Sequence, residues 1–277
     1  MNFRTDLAME NREALPEAEE GIECSELQIG AVKITRIQVV NEEGARRIEK
    51  PVGDYVTIEV PAFTDSVKEF DERLDVMVTE IEKLLPDTGD ILVVGLGNTG
   101  ITPDAFGPKT AEKILATRHI SGELAKSVGL KGLRSVCVLS PGVLGQTGIE
   151  TGEIILSLVQ KLKPAAVVVV DALASRRLSR LGCTVQLCNS GIFPGSGVQN
   201  RRMEISPQTL GVPVLAIGVP TIYILQEQNQ HGKSHVGLKN KCNDNQSVFK
   251  LMFQQPVYYI DFFNTVVISI WYKLIKG

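Results

Sequence analysis

The chain has 277 residues, of which 43% are hydrophobic, and a formal net charge of −3. This composition supports a sizeable buried core and excludes a disordered chain, a collagen-like chain and a basic nucleic-acid-binding arm. The charge is unevenly distributed, because residues 1–90 carry 22 acids and 10 bases (net −12) whereas residues 91–277 carry 10 acids and 19 bases (net +9).

The five cysteines show neither a CxxC pair nor a regular spacing. We therefore expect free, reduced thiols, as in a cytoplasmic protein. The charged N-terminus has no apolar signal-peptide core. The most apolar tail segment, residues 257–272, is shorter than the roughly 20 residues of a membrane-spanning helix. The sequence predicts a cytoplasmic protein without membrane contact.

The first ninety residues contain two kinds of predicted structure after an acidic start. Residues 1–23 show no buried periodicity and are predicted to form an exposed lead segment. β-branched residues predict strands over residues 28–40 and 55–60. Apolar residues then recur every three or four positions from Val67 to Leu84, with charged residues between them, which predicts an amphipathic helix.

Four near-continuous apolar runs follow, over residues 91–97, 135–139, 165–171 and 212–217. Strands of this kind are buried on both faces, as in a parallel sheet. Helical patterns separate them, for example over residues 154–162. The alternation of strands and helices predicts an α/β fold, with a mostly parallel sheet flanked by helices.

Two of the ten acids after residue 90 follow predicted strands. Asp171 ends the run VVVVD, and Asp104 lies in the loop after ILVVGLG. Ligands bind at the carboxyl ends of parallel strands, and an unpaired carboxylate is costly to bury. We therefore interpret Asp104 and Asp171 as a catalytic pair, in which one carboxyl group holds a proton while the other activates water. The pair could instead bind a metal, and Asp171 alone could cap a following helix.

A glycine motif in the same loop offers a competing interpretation. Gly95, Gly97 and Gly100 form a G-x-G-x-x-G pattern after a strand, as in dinucleotide-binding sites. Two prolines interrupt the helix that should follow, and the next strand ends in LSPG, without the acid that would bind a ribose hydroxyl. These two departures from the pattern argue against a dinucleotide site.

The turn-rich loop over residues 189–202 is a weaker candidate for substrate binding. It carries Arg201 and Arg202, which could line a cleft for an acidic peptide or lie on the surface of a simple connection. The sequence shows neither the regular spacing of zinc ligands nor a serine-hydrolase motif. We assign no cofactor and no metal ligands, and the alternative of a metal between the two aspartates stays open.

Seven motifs run in order along the chain: RTDLAMENRE (4–13), VVGLGN (93–98), TPDAFGP (102–108), SPGVLGQTGIETGE (140–153), VVVVDALASR (167–176), SGIFPGSGVQNRR (190–202) and AIGVPT (216–221). Together they resemble the germination protease family of endospore-forming bacteria. The resemblance implies a fold similar to the hydrogenase-maturation peptidases and an endopeptidase that degrades small acid-soluble spore proteins during germination. It also implies that Asp104 and Asp171 are the two essential aspartates of the family.

Members of this family are zymogens that remove their own short N-terminal segment. They cleave after an acid that is followed by an apolar residue and alanine, with another acid shortly after, and TDLAME at residues 5–10 matches this pattern. The resemblance therefore predicts self-cleavage between Asp6 and Leu7, a propeptide of residues 1–6 and a peptidase domain of residues 7–222. It further implies a spore-core location, no direct contact with nucleic acid and a homo-oligomer.

Residues 223–277 depart from the family pattern. A tract rich in Gln, Asn and Lys is followed by an aromatic, Ile-rich end. We interpret this divergent tail as the product of a truncation or a frameshift. The alternative function is accordingly a catalytically inactive, C-terminally truncated α/β protein of the same family.

Overall fold

The computed structural model describes residues 5–16, 20–60, 72–120, 127, 133–194 and 202–223. Its strands are β1 (Ile22–Ile29), β2 (Val32–Val39), β3 (Gly53–Glu59), β4 (Ile91–Gly95), β5 (Val136–Leu139), β6 (Ala166–Ser175), β7 (Thr184–Cys188) and β8 (Val214–Tyr223). They form one eight-stranded sheet in the order β1-β2-β3-β7-β8-β6-β4-β5.

Within the described residues, the α-helices with defined bounds are α1 (Ala8–Arg12), α2 (Glu42–Ile48), α3 (Glu72–Leu84), α4 (Phe106–Lys113), α5 (Leu144–Thr147), α6 (Thr151–Leu162) and α7 (Pro207–Leu210). Two short 3-10 helices span Thr102–Asp104 and Leu178–Arg180. Helix α6 confirms the helix predicted over residues 154–162. Helix α3 confirms the described part of the amphipathic helix, whose predicted first turns lie outside the described residues.

One half of the sheet is parallel, as the four apolar runs predict. Strand β4 pairs in parallel with β5 and β6, and β6 pairs in parallel with β8. Alternate residues of β4 and β6 belong to two different apolar clusters, so both faces of these strands are buried. Helix α3 contributes Met77 and Ile81 to one cluster, and α6 contributes Ile155 and Val159 to the other. The predicted α/β class is confirmed.

The other half of the sheet is antiparallel. Strands β1, β2, β3, β7 and β8 pair antiparallel in that order. The single strand predicted over residues 28–40 is wrong, because Gly30 has φ +52° and turns the chain into a two-residue hairpin in which Ile29 pairs with Val32. The hairpin begins at Ile22 and therefore includes the end of the predicted lead segment.

The prediction of an exposed lead segment is wrong for most of its described part. Leu7, Ala8 and Met9 have 0%, 0% and 4% of their surface exposed. They pack with Ile37 of β2 and Tyr55 of β3 in a third apolar cluster, separate from the two that cover the faces of the parallel strands. A five-residue helix shows too little periodicity to reveal its buried face, so the error has a physical origin.

Several predictions fall on parts of the chain outside the described residues. The divergent tail lies there except for Tyr223, as do Arg201 and the first part of the propeptide. Within the described residues, no helix has the length and apolar character needed to cross a membrane. The four described cysteines are free thiols, as predicted.

Candidate active site

Asp171 lies within strand β6, one residue beyond its last contact with β4. The β4–β6 ladder ends where Gly95 pairs with Val170. Strand β6 continues to Ser175 because β8 runs beside it, so that Asp171 pairs with Gly218. The sequence predicts that the strand ends at Asp171 or, as the alternative, that Asp171 caps a following helix. Both predictions are wrong, because the strand continues for four more residues. Asp171 is only 8% exposed.

Asp104 lies at the same carboxyl ends of the parallel strands, as the last residue of the 3-10 helix that follows β4. The backbone N–H of Asn98 donates to Oδ2 of Asp104 at 2.8 Å and to its carbonyl oxygen at 3.1 Å. This close approach requires glycine at position 97, where φ is +122° and a Cβ would lie 2.0 Å from the Asp104 carbonyl oxygen. The first two glycines of the G-x-G-x-x-G pattern thus serve backbone packing, since a Cβ on Gly95 would also meet the Gly107 carbonyl oxygen at 2.2 Å.

Asp104 and Asp171 line one cavity of about 130 Å³. Desolvation raises the pKa of Asp171 to about 8, and the negative charges of Asp104 and Asp6 add to that rise. The pKa of Asp104 is also raised by desolvation, but the Asn98 N–H and the charge of Arg202 oppose the rise. Two carboxyl groups in one cavity therefore differ in their affinity for a proton, as acid–base pairs do.

The N-terminal segment enters this cavity and lies against the end of β6. Asp6 lines the cavity. Its backbone N–H donates to the carbonyl oxygen of Ala174 at 3.0 Å, and the N–H of Ala174 donates to Oδ2 of Asp6 at 2.8 Å. Thr5 Oγ1 lies 3.2 Å from the same Ala174 carbonyl oxygen. The predicted cleavage segment is therefore held in the cavity by the strand that carries Asp171.

Two side chains donate to the carbonyl oxygen of Asp6. Lys50 Nζ lies 3.0 Å from it, and Gln186 Nε2 also lies 3.0 Å from it. Gln186 Oε1 accepts a hydrogen bond from the backbone N–H of Ala8 at 2.6 Å. Gln186 thus contacts the chain on both sides of the bond between Asp6 and Leu7.

Farther along the segment, the carboxylate of Glu10 is enclosed by partners and is 2% exposed. Ser175 Oγ and the backbone N–H of Arg176 each donate to it at 2.8 Å. Thr5 Oγ1 donates to it at 2.6 Å, and Arg180 Nε lies 3.1 Å away. This pocket holds a negative charge four residues after Asp6.

Arg202 does not line the cavity. Its guanidinium lies 3.9 Å from Glu150, and its charge acts on Asp104 across a longer range. Its predicted role in substrate binding, like that of Arg201 outside the described residues, stays a prediction. Among the residues that the structure describes, no three His, Cys, Asp or Glu side chains are grouped so that they could hold a metal ion.

Sequence reasoning missed Lys50, Gln186 and the Glu10 pocket. Lys50 belongs to no motif. Ser175 and Arg176 are the last two residues of the VVVVDALASR motif and Arg180 follows it, without a pattern that marks a binding role. The one available signal was Gln186, a polar residue inside the otherwise apolar strand TVQLC.

An α/β protein that holds a peptide segment and two carboxyl groups in one cavity has the arrangement of a peptidase. The family model described as germination protease matches residues 4–230, and the chain belongs to that family. It is 46% identical over 229 residues to the germination protease of Clostridium tetani, which covers 80% of this chain and 71% of that relative. It is 47% identical over 227 residues to the germination protease of Caldanaerobacter subterraneus, which covers 80% of this chain and 69% of that relative.

Among solved structures, the chain is similar to the [NiFe] hydrogenase maturation protease HycI from Thermococcus kodakarensis. The match covers 51% of this chain and 80% of that one, at 20% sequence identity and a TM-score of 0.34.

Proposed function

We propose that this chain is a self-processing endopeptidase that cuts first between Asp6 and Leu7 and then degrades small acid-soluble spore proteins in the spore core. The observation that carries the proposal is the position of Asp6, in one cavity with Asp104 and Asp171. Membership of the germination protease family supports a protease role. On this proposal residues 1–6 are the propeptide, and the peptidase domain spans residues 7–222.

The two aspartates have separate roles in the proposed reaction. Asp104 takes a proton from a water molecule, whose oxygen attacks the carbonyl carbon of Asp6. Asp171 gives its proton to the nitrogen of Leu7 as the C–N bond breaks, which yields a carboxyl group on Asp6 and a free amine on Leu7. Transfer of a proton from Asp104 to Asp171 then restores the starting state. The pKa of Asp171, about 8, supports its role as the acid, because that group is protonated at neutral pH.

The contacts of the N-terminal segment support the proposed substrate pattern. The acid before the cut, Asp6, is bound by the N–H of Ala174. Leu7 and Ala8 are both fully buried, so a larger residue than alanine at the second position would lack room. Glu10 is held by Ser175 and Arg180. A small acid-soluble protein with an acid, an apolar residue, alanine and a further acid would make the same contacts after residues 7–10 of the cut chain have left them.

We propose neither a cofactor nor direct contact with nucleic acid or a membrane, and we expect the homo-oligomer that the family resemblance implies. On the inactive alternative, the divergent tail of residues 223–277 prevents both activity and assembly. Activity therefore has to be tested on the full chain, with the tail present.

The test compares the full chain with Asp104→Asn and Asp171→Asn, and with Asp75→Asn as the matched control, since Asp75 is exposed on α3. N-terminal sequencing should find a new end at Leu7 in the wild type and the control, and none in the other two variants. A small acid-soluble spore protein, offered with and without a chelator, should be cut by the same two proteins. Loss of cleavage with chelator would assign a metal to the pair. A wild type that cuts nothing would instead support the inactive alternative.

A further inference from the structure

We infer that Lys50 and Gln186 form the site that polarises the carbonyl group under attack and binds the oxygen as it becomes negative. This inference rests on the proposed function, because it takes the Asp6–Leu7 bond as the bond that is cut. Both side chains line the cavity that holds the two aspartates.

The geometry of the two donors is that of an oxyanion-binding pair. Lys50 Nζ and Gln186 Nε2 each lie 3.0 Å from the carbonyl oxygen of Asp6. Donors that stabilise an oxyanion lie 2.7 to 3.1 Å from the position that the negative oxygen takes, and here both donors already contact the carbonyl oxygen that would become it. Lys50 carries a positive charge when its amine is protonated, and Gln186 is neutral.

A positive charge is needed in this cavity because the other ionisable groups in it are acids. Asp6, Asp104 and Asp171 all line it, and each of them that is ionised would repel a negative oxygen. Lys50 supplies the opposing charge when its amine is protonated. Burial lowers the pKa of Lys50 and the positive charge of Arg176 adds to that fall, whereas the negative charges of Asp6, Cys188 and Glu49 oppose it.

Lys50 is placed by the end of helix α2. The C-cap residue Glu49 has the left-handed φ of 56°, which reverses the chain so that the N–H of Lys50 bonds to the Ala45 carbonyl oxygen at 3.2 Å. The ammonium group donates to the Thr5 carbonyl oxygen at 3.2 Å as well. It therefore binds two successive carbonyl groups before the proposed cut.

Gln186 is placed by the centre of the sheet. It lies in β7, between Thr57 of β3 and Gly218 of β8, and is 6% exposed. Because its Oε1 accepts from the N–H of Ala8, the orientation of its amide group is set and Nε2 faces the Asp6 carbonyl oxygen. Gln186 therefore orients the peptide across the bond while Lys50 supplies charge.

The first experiment measures the first-order rate of self-cleavage of the full chain. Lys50→Met and Gln186→Met remove the donors with little change of volume, Lys50→Arg keeps a charged donor, and Lys161→Met on the exposed face of α6 is the matched control. We expect a loss of about 100-fold or more for Lys50→Met, since removal of one oxyanion donor has effects of that order. Lys50→Arg should recover part of the rate. A rate for Lys50→Met within about threefold of the control would overturn the inference.

A second measurement does not depend on cleavage. Asp6–Leu7 is the only Asp-Leu dipeptide in the sequence, so carbonyl-¹³C aspartate with ¹⁵N leucine gives one carbonyl-to-amide NMR correlation. In an uncleaved Asp171→Asn background, Lys50→Met should move the Asp6 carbonyl resonance upfield, because a charged donor is lost, while Lys161→Met should leave it in place. An unmoved resonance would overturn the assignment of Lys50. If the resonance moves but the wild-type chain never cleaves itself, the proposed function is refuted and Lys50 is kept as the carbonyl-binding group.

Discussion

The guanidinium Nε of Arg180 lies 3.1 Å from the carboxylate of Glu10, and the two side chains are 4% and 2% exposed. Arg180 also pairs with Glu13 at 2.7 Å and Glu59 at 3.2 Å. One cation thus joins the N-terminal segment to strand β3 and to the 3-10 helix that follows β6. Because an ion pair of this kind is desolvated, each partner depends on the other.

Removal of Arg180 is expected to destabilise the fold strongly. Arg180→Met leaves the buried Glu10 without its cation, and we expect the free energy of unfolding to fall by about 3 kcal/mol or more. Urea denaturation measures it. Arg46→Met serves as the control, because Arg46 is exposed in its pair with Glu43, and it should leave the free energy of unfolding nearly unchanged. Equal effects of the two substitutions would contradict the buried ion pair.

The contribution of Asp171 to the stability of the wild type should fall as the pH rises from about 4 to about 8. In the unfolded chain the pKa of Asp171 is about 3.9, whereas in the folded protein it is about 8. Between these values Asp171 binds a proton more tightly in the folded state, so its contribution decreases with pH, by at most about 1.4 kcal/mol per pH unit. The decrease is complete above the folded pKa.

Asp171→Asn isolates this contribution, because an amide resembles the protonated acid and does not titrate. The variant and the wild type should have similar free energies of unfolding at pH 4, and the variant should be the more stable at pH 8. Denaturation with urea at one-unit pH steps measures the difference. A difference that stays constant over this range would show that the pKa of Asp171 is not raised.

The rate of self-cleavage should depend on pH with a maximum. On the alkaline side the rate should fall above about pH 8, as Asp171 loses the proton it has to donate. On the acidic side it should fall as Asp104 becomes protonated, at a higher pH than for an ordinary aspartate, because desolvation raises the pKa of Asp104. Rates of appearance of the Leu7 end at a series of pH values test both limbs. A rate that continues to rise above pH 9 would remove Asp171 from the role of acid.

Substitution of Gly97 should disturb Asp104 from a distance. Gly97→Ala places a Cβ 2.0 Å from the Asp104 carbonyl oxygen at a φ of +122°, so the loop has to move. We expect a loss of about 1–3 kcal/mol in the free energy of unfolding, together with slower self-cleavage. Gly145→Ala on α5 is the control, because a Cβ there meets nothing within 4 Å. A Gly97→Ala protein as stable and active as this control would contradict the described loop.

The antiparallel half of the sheet and the buried N-terminal segment could not be predicted from local patterns. Residues 28–40 have the composition of one strand, and only the turn at Gly30 divides them. Helix α1 is too short for its buried face to produce a periodicity, and its contacts are with strands that come later in the chain. Local composition shows which side chains are apolar, but it does not show which surface will cover them.

The sequence by itself determined the parallel core, because residues buried on both faces have to be apolar at every position, as in β4 and β6. It also singled out Asp104 and Asp171 as candidate site residues, because a carboxylate beside such an apolar strand is conspicuous. Only the tertiary structure decided what surrounds them. Lys50 and Gln186 lie 44 and 180 residues from Asp6 along the chain and reach its carbonyl oxygen together. That convergence depends on the position at which α2 ends and on the pairing of β7 with β3 and β8. The strand pairing consists of long-range contacts that no local pattern encodes.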